Sequence, residues 1–159
     1  MSDIVLDGNI RVSSVPSIGT LSAPTAAELN AGIVYESLLT QDGLAGFQST
    51  TNWVNNAPLG SDFDTVLPGT VSYTDMSLTF KWQTGTDTIF NTLVKGYETN
   101  IVIRFRFPKA TAFAATQLVQ VYPITVGQFT PANPERNSLT RFTVPIGLRL
   151  EPQLRAVVV

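Results

Sequence analysis

Cysteine and histidine are both missing from this 159-residue chain, and with them goes most of the common chemistry of enzyme sites. Without cysteine there is no disulfide framework, thiolate nucleophile or thiolate metal site, a composition that fits assembly in a reducing cytoplasm. Without histidine the commonest general base and the commonest metal ligand are absent. Charge is scarce as well: Asp, Glu, Lys and Arg make up 14% of residues, whereas soluble domains average about 25%. Together with a mean hydropathy of +0.15, this implies either a surface largely covered by other chains or a Ser/Thr-rich β-protein with neutral polar outer positions. No apolar run approaches the roughly 18 residues that span a bilayer. The acidic opening MSDIVLDGN lacks the basic and apolar regions of a secretory signal. Neither a membrane span nor export by the usual route is expected. A net charge of −2 leaves no electrostatic footprint for tight phosphate binding.

What is present reads as a single domain over residues 1–159. Residues 1–21 are punctuated by Ser, Gly and Pro, and Ile10, Val12 and Val15 are too loosely spaced for a strand, so an N-terminal arm is expected. SAPTAAELNAG carries a capping box, Thr25 with Glu28, before a short helix anchored by Leu29 and stopped by Gly32. IVYESLLT (33–40) reads as a strand. Met76, Leu78, Phe80 and Trp82 alternate with polar residues, the signature of a strand with one apolar face. Thr86 and Asp87 introduce a helix whose apolar stripe is Ile89, Phe90, Leu93 and Val94, with Lys95 in its last turn and Gly96 as its stop.

NIVIRFRFP then predicts a strand with Ile101, Ile103, Phe105 and Phe107 inward and Val102, Arg104 and Arg106 outward. Residues 117–126 predict another, its alternation slipping at Pro123 as at an edge or bulge. TRFTVPIGLRL puts Phe142, Val144, Ile146, Leu148 and Leu150 on one face, and QLRAVVV closes the chain. The sum is a mainly β fold: an antiparallel β-sandwich or partly closed barrel with one flanking α-helix and a short N-terminal helix. The Val-rich C-terminal strand and the Pro-interrupted one have edges with little charge to protect them, and such edges template pairing with another chain.

Residues 41–69 form a long inter-strand loop, rich in turn residues yet holding Leu44, Phe47, Trp53, Leu59 and Phe63. Structureless connections of that length are uncommon in compact domains, and disorder does not normally retain Trp and Phe. Leu44, Phe47, Trp53 and Phe63 are therefore candidates to pack on the chain's own flank or, the preferred reading, on a neighbouring subunit. Asp62 and Asp64 could pair for glycoside hydrolysis or hold a hard cation. They follow Gly60-Ser61 in turn-forming sequence, with no array of further acidic ligands, and read as turn residues. No Ser-x-x-Lys, Gly-x-Ser-x-Gly, Walker loop or dinucleotide fingerprint occurs, so no catalytic, cofactor or metal residue is assigned. Arg104, Arg106 and Lys109 form a basic cluster whose arginines face either a subunit contact or solvent. Trp53, Tyr73 and Trp82 could stack on sugar, but alternation takes Trp82 into the apolar face and leaves Trp53.

Taken in order, SAPTAAELNAG with VYESLLTQDGL, FKWQTGTDTIFNTLVKGYETNIVIRF and LVQVYPITVGQ resemble the tail tube, or major tail, proteins of long-tailed bacteriophages, particularly those infecting actinobacteria. The resemblance covers most of the chain but not the loop at 41–69. It implies two packed β-sheets with a flanking helix, and a structural, non-enzymatic subunit forming hexameric rings that stack into a tube for genome ejection. It also implies contacts with copies of itself and with tape-measure and tail terminator or tip proteins. Double-stranded DNA would pass without specific binding, and the location would be the virion tail, assembled in the host bacterial cytoplasm. No cofactor, membrane or small-molecule substrate is implied. A lumen that passes DNA should be neutral or acidic, so Arg104 and Arg106 are expected to face a neighbour or be neutralised. The alternatives are another virion structural subunit, for head decoration or tail completion, and a carbohydrate-binding β-sandwich.

Overall fold

Runs of β-branched and aromatic residues set the strands of the computed structural model, which describes residues 2–159. In chain order these are β1 (Ile10–Val15), β2 (Ile33–Val34), β3 (Leu39–Ala45), β4 (Thr50–Asn55), β5 (Val66–Ser72), β6 (Ser77–Lys81), β7 (Glu98–Phe105), β8 (Leu118–Val126), β9 (Thr130–Pro131), β10 (Arg141–Leu148) and β11 (Gln153–Val157). Helix α1 (Ala26–Asn30) lies between β1 and β2, and α2 (Thr88–Thr92) between β6 and β7. Nine strands form one antiparallel sheet in the order β2-β1-β7-β8-β10-β6-β3, with β11 added to β8 and β9 to β10, while β4 and β5 pair only with each other. The large sheet curls until its margins meet. Tyr35 N–H donates to Val12 O at 2.7 Å and Lys81 N–H to Leu38 O at 2.8 Å, so the segment after β2 bridges β1 to β6. The result is the partly closed barrel that the alternating patterns predict.

One core fills the enclosed face. Val12, Leu78, Phe80, Ile101, Ile103, Tyr122, Ile124, Phe142 and Val144 are all buried there, so the alternation at 76–82 and 142–146 holds. Phe80 stacks on Phe142 at 5.5 Å, and Trp82, Phe90 and Phe129 extend the aromatic cluster. Helix α2 and its C-cap seal this core with Ile89 and Leu93. Its cap is Asp87, not Thr86: Oδ1 accepts from Phe90 N–H at 3.0 Å and Oδ2 from Gln83 N–H at 3.1 Å. The helix ends at Thr92, shorter than the sequence pattern implies, and Val94 is exposed.

A second core lies on the opposite face of β7 and β8, built from Val15, Leu29, Val102, Phe113, Val119, Val121, Ala156 and Val158. Helix α1 covers it through Leu29, and its capping box is complete. Glu28 N–H donates to Thr25 Oγ1 at 3.2 Å and Thr25 N–H to Glu28 Oε2 at 2.9 Å. These contacts, with Gly19 N–H on Oε1 at 3.0 Å, hold the Glu28 carboxyl below the usual range, the Thr25 backbone N–H most of all.

Four expectations change. Residues 41–69, expected as a long inter-strand loop, hold the end of β3, all of β4 and the start of β5. The arm expected at 1–21 contains β1, which pairs with β7 over its whole length. Its pattern is obscured because both faces are buried and two positions are serine; Ser14 Oγ lies 2.7 Å from Thr99 Oγ1. Within 33–40 only Ile33–Val34 pair with β1, and the chain turns before β3 begins at Leu39. Pro123 is on neither an edge nor a bulge. It sits mid-sheet in β8, where the neighbouring strand changes from β10 to β11, and its carbonyl accepts from Arg149 N–H at 3.1 Å. The donor that proline lacks is therefore missing only where the partner strand is handed over.

Truncating Phe142 to Ala should cost about 3–5 kcal/mol, since the cavity would open inside an aromatic cluster that cannot collapse; urea denaturation checks this. Burial pushes the Tyr35 and Tyr122 hydroxyls up to about 12, whereas an unfolded tyrosine ionises near 10. The unfolded chain therefore loses protons first, and stability should be complete below about pH 10 and fall as pH rises towards 12. Denaturation midpoints across that window, with phenolate absorbance following unfolding, are the measurement.

Candidate assembly surfaces

The β4–β5 hairpin leaves the body of the chain. Every residue of β5, and every residue of β4 but Thr51, is exposed. At its tip Ser61 N–H donates to Pro58 O, and Ser61 Oγ accepts from Phe63 N–H, fixing a turn. Trp53 is 62% exposed, Phe63 72% and Leu59 completely so. An isolated two-stranded hairpin is marginal in water, and one that displays Trp, Phe and Leu carries an unused packing surface. Between its root and the β10–β11 turn runs a groove of about 960 Å³, lined by Val71, Tyr73, Leu148, Leu150 and Leu154 among others.

The site residues expected from the sequence divide into two groups. Leu44 and Phe47 are half-buried against the chain's own enclosed core, where Phe47 meets Tyr122 edge-on at 5.0 Å; they pack on their own flank. Trp53 and Phe63 stand free on the hairpin. Asp62 and Asp64 are exposed at its tip, and among the described residues no acidic group suited to a metal ion forms. Trp82 lies inside the aromatic cluster, and Tyr73 meets Tyr122 edge-on at 6.2 Å. No helix among the described residues is long and apolar enough to cross a membrane.

Arg104 is not on the outside at all. It is 0% exposed, because β7 is covered on both faces and residues 106–117 fold back over its end as a strap. Its guanidinium donates to Ala112 O and Gln117 Oε1 at 3.1 Å and to Pro108 O at 3.0 Å. It lies 5.0 Å from the Phe113 ring centroid and 5.5 Å from that of Phe107. Arg11, paired with Arg104 across β1 and β7, approaches the same Phe113 ring at 4.9 Å. Burial, then the charge of Arg11, lowers the Arg104 pKa. Arg106 takes a positive φ of 75° and is exposed. That turn ends β7, so Phe105 and Phe107 emerge 39% and 37% exposed instead of pointing into the core. Strand alternation could not reveal the strap, although Phe113 and Gln117, just before β8, were available as partners.

Residues 1–159 match the family model described as phage tail tube protein. The chain belongs to the phage tail tube protein family. No curated protein matches it. Among solved structures it is similar to a chain of the anti-feeding prophage baseplate, determined by cryo-EM with six-fold symmetrisation: TM-score 0.60 at 10% identity, over 96% of this chain and 95% of that one. It is also similar to a chain of the cap that terminates the tube of that prophage, with TM-score 0.57 at 10% identity over 92% and 87%. These likenesses are of fold. As a tail tube protein the chain is a structural component of the virion tail. Its exposed hairpin and the uncovered part of β11 are surfaces that such a subunit can use. Only the end of β11 is shielded, by Val157 N–H on Ser22 O and Val159 N–H on Pro24 O.

Arg104→Ala should destabilise the tail tube subunit by about 2–4 kcal/mol, because the packing of its buried side chain is lost and the Ala112 carbonyl is left without a donor, while Pro108 O keeps Thr111 N–H and Gln117 Oε1 keeps Ala114 N–H. Thermal melts would show the loss, and hydrogen exchange should accelerate over 106–117 before it does over β7.

Proposed function

We propose that this tail tube protein assembles with copies of itself into stacked, hexameric rings, and that the resulting tube is the conduit for genome ejection. The observation that carries this reading is the β4–β5 hairpin. Among the described residues it pairs with no other strand, and it holds Trp53, Leu59 and Phe63 in solvent, so its apolar side chains find cover on another molecule. A contact between unlike surfaces closes into a ring when its rotation allows, and a second such contact along the axis that does not close gives an open filament. The six-fold symmetrised baseplate, whose chain has this fold, supports six subunits per ring.

Trp53 and Phe63 carry the contact between subunits, and Arg106 adds an exposed cation at another margin. Leu44, Phe47 and Arg104 serve the subunit's own fold. With Arg104 withdrawn from the surface, one basic group fewer is available to hold passing phosphates, and the lumen wall is neutral or acidic. The tape-measure and the terminator or tip proteins meet the tube at its axis and ends; the likeness to a tube-terminating cap supports end partners that share this architecture. Assembly takes place in the host bacterial cytoplasm, which suits a chain without cysteine. The protein holds no cofactor and catalyses no reaction.

Negative-stain electron microscopy of the purified protein tests the reading: hollow tubes of stacked rings are expected, and single rings would favour a head-decoration or tail-completion subunit. Replacing both Trp53 and Phe63 with Asp should leave the melting transition within about 0.5 kcal/mol of the wild type, as surface substitutions do, yet abolish tubes.

A further inference from the structure

A second apolar surface lies at the far end of the enclosed sheet face from α2, where the barrel no longer covers its own strands. Phe105, Leu118 and Leu154 line a groove of about 390 Å³ across β7, β8 and β11. Leu118 is 47% exposed and Leu154 44%. A register shift between Gln153 and Ala156 brings consecutive residues, Leu154 and Arg155, to the groove. Arg106 and Arg155 both line it and both are exposed. This groove is therefore an apolar floor with two cations beside it, one at the end of β7 and one on β11.

The complementary pattern occurs in the segment before β1. Ile4, Val5 and Leu6 are consecutive and 55%, 66% and 55% exposed, flanked by Asp3 and Asp7, which are exposed too. A turn holds this segment away from the body: Asn9 N–H donates to Leu6 O at 2.9 Å, Asn9 Nδ2 to Val5 O at 2.8 Å, and Lys109 N–H to Gly8 O at 2.8 Å. In extended form Asp3 and Asp7 stand about 13 Å apart, and two strand spacings, from β7 across β8 to β11, measure roughly 10 Å. Long arginine side chains make up that difference.

We propose that residues 3–7 of one copy dock into the groove of a second copy, Ile4 and Leu6 on the apolar floor and Asp3 and Asp7, on the other side of the extended segment with Val5, met at its two ends by the long side chains of Arg106 and Arg155. This deepens the self-assembly reading and rests on it. It places Arg106 in a contact between subunits, paired with a carboxylate of the neighbouring copy.

Charge exchange tests it in the full-length protein. The variant D3K/D7K and the variant R106E/R155E should each raise the protein concentration needed for tubes by roughly tenfold, since each turns two attractive pairs into repulsive ones. An equimolar mixture of the two should recover wild-type assembly, because every lysine-bearing segment then finds a glutamate-bearing groove. The wild-type requirement should rise with salt. Wild-type tubes with either variant assembling normally would overturn this contact and leave the tube reading standing. So would rescue by combining all four substitutions in one chain without rescue by mixing, which would mean that the segment folds into its own groove. A wild-type protein that never polymerises would overturn both.

Discussion

Strand β7 belongs to two cores at once, and the fold depends on that. Ile101 and Ile103 enter the enclosed barrel while Val102 faces the second core under α1. A strand buried on both sides reads as a nearly continuous apolar run, and NIVI is one. It also fixes its neighbours: β1 and β8 flank β7 and must themselves be acceptable on two faces, hence the buried Ser13 and Ser14 on one side and the alternating VQVYPITV on the other. Both short helices exist to close these cores, α2 over one and α1 over the other. Neither is long enough to be stable alone; each is held by its cap and by the one or two large side chains it buries.

The same economy leaves the periphery unfinished. Two cores consume the best apolar residues of the central strands, and what remains is displayed at the hairpin, along the uncovered part of β11 and in the groove at the end of β7. In a monomer these would be liabilities. In the tube proposed above they are the surfaces available for association, and a charge content of 14% suits a subunit with little wet surface.

Much of this is legible in the chain. The strands at 76–82, 98–105, 118–126 and 141–148 announce themselves by alternation or by apolar continuity, and the capping box at Thr25 and Glu28 is realised as written. Strand β1 escapes because period-two patterns presuppose one wet face, and it has none. The cap of α2 moves to Asp87 because a carboxylate there satisfies two N–H groups, where Thr86 could serve one. Arg104 is the instructive failure among the expected contact residues. Alternation correctly separates it from Ile103, but the far face of β7 is roofed by a strap that lies outside the strand, and nothing local to NIVIRF reports that. Phe105 fails for the converse reason: its face is right, and the barrel wall ends before it. Trp53 and Phe63 stand exposed because the hairpin that carries them packs on no core of the chain, and turn-rich sequence has few places to hide an aromatic ring.

The strap held by Arg104 has a consequence for the particle as a whole. Its acceptors are the carbonyls of Pro108 and Ala112 and the amide oxygen of Gln117, none of which titrates. A clamp built on a carboxylate would loosen in acid; this one keeps its grip wherever the guanidinium keeps its proton. Every subunit of the particle is thus closed, at this seam, by a fastening that acidity does not undo.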